Sequence, residues 1–383
     1  MPIKPKIAII HDYLNAYGGA ESVVNAIHEL YPKAPIYTAV WNPKAFEGTD
    51  AFKDAVVNVP KWATSPIVNR FYKYLVPLYP KIFESLDLSS YDIIISSSAN
   101  FAKGVKTNKE QLHISYIHTP PRFLYGFPTE TSRREIWYWK PILKIVDKYL
   151  KKWDQKAAQR PNFLVCNSTE VQQRIKKFYK RDSVVIPPFL SINKKYESAI
   201  KEAGDYYLVI SRMSLYKNPD KVILACKELN RNLKIAGTGK EFERFSKLAN
   251  TATTGKTHIE MLGFVSEERK VSLLKGCKAL LYPVQNEDFG MVPLEAMYFG
   301  KPALVLNQGG FKDYLVDRYN GVFIETPTVE GVKKAIMTFE EIENKIDWST
   351  NCKKTASQYT KERFQDNFKA FVEEKFAEFH KQH

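Results

Sequence analysis

Short apolar runs, each followed by a longer amphipathic stretch, constrain this chain more than any other feature. In the first half the runs are Ile7 to Ile10, Ile93 to Ile95, Ile114 to Ile117 and Phe163 to Val165. In the second they are Tyr206 to Ile210, Leu233 to Ala236, Ala279 to Tyr282 and Ala303 to Leu306. A parallel strand is covered on both faces, so it reads as continuous apolar residues and not as an alternation. The amphipathic stretches between them suit connecting helices, and the rhythm as a whole calls for α/β layers.

At 383 residues the chain is longer than one hydrophobic core usually supports. The strand-like Val184-Val185-Ile186 is stopped by Pro187-Pro188, and the polar Asn193-Lys194-Lys195-Tyr196-Glu197 follows as a linker. We therefore expect two doubly wound, Rossmann-like domains, residues 1–190 and 191–355. Residues 356–383 carry Phe364, Phe368, Phe371, Phe376 and Phe379 at approximately helical spacing, which predicts a helical segment closing the structure by packing back towards the N-terminal domain.

Composition narrows the function classes. Hydrophobic residues make up 44% and charged residues 26% of the chain, and no run approaches the roughly 18 apolar residues of a membrane span. Met1 to Lys6 leads straight into Ile7 to Ile10 and then charged His11-Asp12, too short an apolar core for a signal peptide, so a cytoplasmic location is expected. Cys166, Cys226, Cys277 and Cys352 form no CxxC pair and read as small buried hydrophobes. The formal charge of +15 implies an anionic partner, whether nucleic acid, acidic membrane or phosphorylated substrate.

The most informative segment is Glu287-Asp288-Phe289-Gly290-Met291-Val292-Pro293-Leu294-Glu295-Ala296-Met297, which follows an apolar strand and opens a helix near Pro293. Gly290 lets the backbone come close to a ligand, and free N–H groups at a helix start offer donors to an anion. Glu287 in the loop and Glu295 in the helix can face one ligand and accept hydrogen bonds from vicinal hydroxyls. A second segment, Leu208-Val209-Ile210-Ser211-Arg212-Met213-Ser214-Leu215-Tyr216-Lys217-Asn218-Pro219, places two cations after a strand, where Arg212 and Lys217 can converge on an anion.

From Glu287 to Pro302 the string E-D-F-G-x-V-P-x-E-A-M-x-x-G-K-P resembles the E-x7-E signature of family-4 retaining glycosyltransferases of the GT-B architecture, and the strand-R-x4-K-x-P pattern resembles that family's phosphate clamp. The resemblance implies two domains facing across a cleft, with the C-terminal one holding a nucleotide-diphosphosugar and no metal ion or cofactor. It assigns Glu287 to the donor sugar, the loop Asp288, Phe289, Gly290, Met291 and Val292 to sugar hydroxyls and diphosphate, Glu295 to the ribose, and Arg212 and Lys217 to the departing diphosphate. Ile235-Ala236-Gly237-Thr238-Gly239 resembles the family's strand-G-x-G turn, Gly263-Phe264-Val265-Ser266 its base-side loop, and Asn307-Gln308-Gly309-Gly310 the loop after the next strand, although Asp313 stands where glutamate is common.

The first half carries two further signals. Gly18-Gly19 precedes a helical stretch after the first strand and can cradle a phosphate through backbone N–H groups. Ser115-Tyr116-Ile117-His118-Thr119-Pro120-Pro121-Arg122 puts His118 at a strand end, where open α/β sheets bind ligands. The H-T-P-x-R string resembles a subgroup that includes bacterial polysaccharide mannosyltransferases, in which the histidine lines donor sugar and acceptor. That implies GDP-mannose ahead of UDP-sugars, and a glycan or lipid-linked acceptor. Arg133 to Lys140, continuing to Lys151-Lys152-Trp153, together with Phe71 to Lys81, mixes cations with aromatics and suits either an anionic bilayer or an ordinary helix packing its aromatics inward.

Other chemistries find no support. Gly255-Lys256-Thr257 imitates a Walker loop, but Asn250 holds the position that needs glycine. No GxGxxG follows the first strand, and neither HExxH nor a convincing DxD pair is present. RNA-binding aromatics, helix-turn-helix and zinc signatures are missing, so no nucleic-acid partner is expected from more than bulk charge. A non-catalytic nucleotide-sugar, glycan or nucleic-acid binding protein on the same fold stays open as the alternative.

Overall fold

The computed structural model describes residues 5–64, 75–129, 140–251 and 257–382. Two compact units result: Met1–Phe189 with Lys361–His383, and Leu190–Thr360. The aromatic-basic segment from Arg133 to Trp139 and the glycine and lysine of Gly255-Lys256-Thr257 lie outside the described residues, as do Phe71 to Tyr74 of the Phe71 to Lys81 segment.

Unit 1 runs β1 (Ile7–His11), α1 (Gly19–Leu30), β2 (Ile36–Thr38), β3 (Val57–Asn58), α2 (Tyr79–Glu84), β4 (Ile93–Ser98), β5 (Leu112–Ile117), α3 (Lys140–Ala157), β6 (Phe163–Cys166), α4 (Thr169–Tyr179) and β7 (Val184–Val185). The strands pair in parallel in the order β3-β2-β1-β4-β5-β6-β7. Every residue of β4 and β5 is buried, which explains their near-continuous apolar character. Three of the polar exceptions meet one another: Ser96 Oγ lies 2.8 Å from both Ser115 Oγ and His113 Nε2.

Unit 2 runs β8 (Tyr207–Ile210), α5 (Pro219–Leu229), β9 (Leu233–Ala236), α6 (Phe242–Asn250), β10 (Ile259–Gly263), α7 (Glu267–Gly276), β11 (Leu280–Tyr282), α8 (Met291–Tyr298), β12 (Ala303–Leu306), β13 (Gly321–Ile324), α9 (Val329–Ile342) and α10 (Trp348–Ala356). Its parallel sheet has the order β10-β9-β8-β11-β12-β13. Side-chain caps set several helix starts: Ser266 accepts from the Arg269 N–H, Thr328 from Gly331 and Asp347 from Thr350.

The last helix, α11 (Lys361–Gln382), belongs to unit 1. Phe364, Phe368, Phe371 and Phe379 share a core with Ile9, Ile27, Ile114 and Tyr116. Each fully buried ring is worth roughly 1.5–3 kcal/mol, so the aromatic stripe alone accounts for the docking. Helix α3 turns Leu150, Trp153 and Ala157 inward, with Trp153 Nε1 donating to Glu84 at 2.7 Å. Its other face leaves Ile142, Ile145 and Tyr149 exposed among lysines. All four cysteines are buried thiols, and no described helix is long and apolar enough to cross a membrane.

Both sheets reverse their strand order once near the middle, between β1 and β4 in unit 1 and between β8 and β11 in unit 2. The connections diverge there and leave a crevice at the carboxyl ends of the strands, the usual ligand position in open α/β sheets.

Candidate active site

In unit 2 the crevice is lined by the loops that leave β8 and β11. Asn218 takes a left-handed conformation (φ 54°) before Pro219 starts α5, and its Nδ2 donates to the Pro283 carbonyl at 2.8 Å. That bond ties the two loops together, as does Gln285 N–H to the Tyr216 carbonyl at 3.2 Å. The result brings Lys217 Nζ to 2.7 Å from Glu287 Oε2, with side chains only 12% and 18% exposed. Tyr216 and Tyr282 flank the ammonium at 5.2 and 5.5 Å from their ring centroids. Burial disfavours the ammonium, but Tyr282 and Glu287 outweigh it and hold the Lys217 pKa well above its ordinary value, so Lys217 is a fixed cation.

Helix α8 begins at Met291, two residues ahead of the expected Pro293, because Gly290 (φ 87°) caps it in a conformation closed to other residues. A Cβ at Gly290 would also fall 2.3 Å from the Phe311 ring. The first-turn amides of Met291 and Val292 thus open onto the loop that carries Glu287 and Asp288. The Gly309-Gly310 turn supports that loop from beneath: Gly310 N–H donates to the Glu287 carbonyl at 3.1 Å, and a Cβ at Gly310 would sit 2.3 Å from the Asp288 oxygen. The Phe289 ring faces inward onto Tyr314 and Tyr359, at 5.5 and 5.8 Å, so only its backbone can meet a ligand.

Glu295 stands one turn into α8 and pairs with Lys270 of α7, at 3.4 Å from Oε2, while Lys270 also meets Glu267 at 2.8 Å. Burial raises the Glu295 pKa; Lys270 pulls it back and Glu267 adds to it. Glu287 and Glu295 therefore each have a lysine of their own. Arg212 is exposed on the β8–α5 loop. Gly237 donates its N–H to the Gly263 carbonyl at 2.7 Å, joining the ends of β9 and β10, and Phe264 beside it is 83% exposed, a free ring face for a planar ligand. Asp313 ends the short turn Gly310–Asp313, and its carbonyl accepts from the Tyr359 hydroxyl at 3.4 Å.

In unit 1 the crevice gathers His11, Ser97 and His118 from the ends of β1, β4 and β5. Ser97 Oγ lies 2.8 Å from His118 Nε2 and 3.2 Å from His11 Nδ1. The two imidazoles sit edge to face with centroids 6.5 Å apart. Asp12 anchors the floor by accepting four backbone N–H bonds, from Ala99, Asn100, Phe101 and Ala102, all at 2.7 Å. Gly18 and Gly19 are exposed at the start of α1, with Gly18 as its cap in an extended conformation and without a side-chain cap bond.

Sequence reasoning did not single out Lys270, Tyr282, His11, Ser97 or Glu21. Beside His118, which the sequence did mark, the run Ser96-Ser97-Ser98 at the end of an otherwise apolar strand is a local signal that could have pointed to the rest of the unit 1 cluster. Among the described residues no three of His, Cys, Asp and Glu gather closely enough to hold a metal ion.

Comparison with known proteins gives these sites a context. Residues 17–194 match the Glycosyltransferase Family 4 family and residues 191–359 the Glycosyl transferases group 1 family. An uncharacterized glycosyltransferase of Methanocaldococcus jannaschii is 28% identical over 47% of this chain, and the alignment spans 50% of that relative. The alpha-1,3/1,6-mannosyltransferase ALG2 of mouse is 34% identical over 30% of this chain and 25% of its own length. The fission yeast (Schizosaccharomyces pombe) ALG2 is 23% identical over 82% of this chain and 70% of its own length. Anabaena HepE, solved in complex with UDP-glucose, superposes with a TM-score of 0.65 at 17% identity, covering 97% of this chain and 100% of that one. With one family matched in each half and the fold shared along nearly the whole length, the chain belongs to the family-4 glycosyltransferases of the GT-B architecture.

Proposed function

We propose that the chain transfers a hexose, with mannose from GDP-mannose as the first candidate, from a nucleotide-diphosphosugar to a hydroxyl of a glycan or lipid-linked acceptor. The observation that carries the reading is the Lys217–Glu287 pair beside the first turn of α8, at the reversal point of the unit 2 sheet. A cation, a carboxylate and helix-start amides in one crevice match the three parts of a donor: diphosphate, sugar hydroxyls and developing negative charge. The likeness to ALG2 favours a mannosyl donor, while the UDP-glucose bound to HepE keeps uridine nucleotides as the competing choice.

In this reading Lys217, Arg212 and the amides of Met291 and Val292 stabilise the departing diphosphate. The acceptor oxygen bonds to the anomeric carbon on the face that the phosphate oxygen leaves, and its proton passes to that oxygen, which retains the configuration. Glu287 and Glu295 accept hydrogen bonds from sugar and ribose hydroxyls, each worth about 1.5–3 kcal/mol as a charge-assisted bond. Phe264 offers its face to the base. No metal enters this chemistry, since fixed cations do the same electrostatic task.

Unit 1 takes the acceptor, and α3 brings it to the cytoplasmic face of an anionic membrane. Ile142, Ile145 and Tyr149 present apolar surface between Lys144, Lys148 and Lys152, a pattern suited to the lipid headgroup boundary. The test is proton NMR of GDP-mannose and UDP-glucose incubated with the chain. Faster consumption of GDP-mannose with an α-configured product, unchanged by a chelator, supports the reading; β-product or a chelator-sensitive rate overturns it.

A further inference from the structure

We propose that the hydrogen-bonded relay His11–Ser97–His118, with the Glu21 carboxylate facing the far nitrogen of His11, fixes His118 as a neutral imidazole carrying its proton on Nδ1, making it a hydrogen-bond donor to the bound ligand and not a base. The inference rests on the reading above in one respect only, that His118 faces substrate.

Hydrogen-bond directions follow from the partners. The Ser97 carbonyl can only accept, and it lies 3.1 Å from His11 Nδ1, so that nitrogen carries a hydrogen. The same hydrogen is shared with Ser97 Oγ at 3.2 Å. The hydroxyl proton of Ser97 then has one acceptor among the described residues, His118 Nε2 at 2.8 Å. Since Nε2 accepts, the single proton of a neutral His118 ring resides on Nδ1. At the other end of the chain, His11 Nε2 faces Glu21 Oε1 at 3.6 Å, and both side chains are largely buried.

The surroundings hold this arrangement in one state. Burial opposes charge on His11, but Glu21 and, more weakly, Asp12 and the Ser97 carbonyl overcome it and raise the His11 pKa. Burial, and then the neighbouring His11, push His118 down to about 3. The titratable groups around the two rings are Glu21, Asp12 and Tyr116, whose ring lies 5.1 Å from that of His118. The backbone of His118 is pinned as well: its N–H donates to the Ser98 carbonyl and its carbonyl accepts from Asn167 Nδ2, both at 2.9 Å. A ring held by backbone, hydroxyl and neighbouring charge has little freedom to exchange tautomers. His11, Glu21 and Ser97 are positioning residues in this scheme.

The chain has seven histidines, few enough for nitrogen-15 histidine labelling of the full protein and two-bond proton–nitrogen correlation spectra. Between pH 6 and 8 the expected His118 pattern is an unprotonated Nε2 and a protonated Nδ1, unchanged across the range. Ser97→Ala should convert it to a mixture of tautomers, and Ser97→Thr, which keeps the hydroxyl, should restore it. In turnover of GDP-mannose, Ser97→Ala should lower kcat about tenfold with KM changed less than about twofold, again restored by Ser97→Thr. A protonated Nε2 in the wild-type chain, or a pattern indifferent to Ser97→Ala, overturns the proposal. Should Ser97→Ala fail to fold, the wild-type tautomer still decides. The expected tautomer in a chain that neither binds nor turns over nucleotide sugars would refute the transferase reading and leave the hydrogen-bonded chain standing.

Discussion

Separating Lys217 from Glu287 tests how the unit 2 site is assembled. At an effective dielectric constant near 20, unit charges about 2.7 Å apart attract by about 6 kcal/mol before desolvation is counted. Desolvation of both groups offsets most of this, so the intact pair adds little, whereas removing one member strands the other. Fully buried pairs lose about 3–5 kcal/mol on such a truncation, and the residual exposure here lowers the expectation for Lys217→Met to about 2–3 kcal/mol. Glu287→Gln should cost about 1–2 kcal/mol, because its amide oxygen still accepts from the ammonium. The double variant should fall short of the sum by about 2 kcal/mol. Urea unfolding followed by fluorine NMR of fluorotryptophan-labelled protein measures this in unit 2 alone. Trp348 packs in that unit, 5.5 Å from Phe339, while every other tryptophan, from Trp41 to Trp153, precedes Leu190. Single costs that add to the double within about 0.5 kcal/mol would refute the coupling.

Three further outcomes follow from named contacts. Burial raises the Glu295 pKa above its ordinary 4.5, so the stability tied to its protonated form is present below that value and lost as pH rises through the folded-state pKa; Glu295→Gln, which cannot ionise, should flatten that loss in urea titrations of unit 2. Burial pushes His113 from 6.5 down to about 3, so the unfolded chain binds the proton first and unit 1 loses stability as pH falls through that window, on the order of 2 kcal/mol between pH 7 and 5; His113→Asn should flatten that slope. Gly310→Ala would drive a methyl into the Asp288 carbonyl and should abolish nucleotide-sugar binding by calorimetry while leaving the circular dichroism spectrum of the chain unchanged.

Much of the fold is legible in the sequence because parallel strands are buried on both faces and announce themselves as apolar runs. The strands that escape notice have physical reasons to: Ile36–Thr38 and Val57–Asn58 are too short for a period, and Ile259–Gly263 is a half-exposed edge interrupted by Glu260. Gly321–Ile324 escapes because it opens on a glycine, where a Cβ would fall 2.3 Å from the Ala303 carbonyl of β12. At the site, the motif spacing pointed to Lys217, Glu287 and Glu295 but grouped Lys217 with Arg212 and the two glutamates with each other. In the folded chain Lys217 lies with Glu287, and Glu295 with Lys270, pairings that depend on how loops from different strands pack. His11 and Ser97 are 86 positions apart and meet only through the β1–β4 register, which no local pattern records.

Most direct of all is calorimetric titration of GDP-mannose and UDP-glucose into the wild-type chain, Lys217→Met and Lys278→Met. Lys278 provides the control: it precedes β11, at the amino end of that strand and away from the crevice at the carboxyl ends, in an ion pair with Glu343 at 3.2 Å. A donor site built on Lys217 should give one nucleotide sugar bound per chain, with Lys217→Met weakening it by roughly 10–150-fold, the equivalent of one charge-assisted hydrogen bond, and Lys278→Met leaving it unchanged. Equal weakening by both substitutions, or wild-type affinity in Lys217→Met, would contradict it.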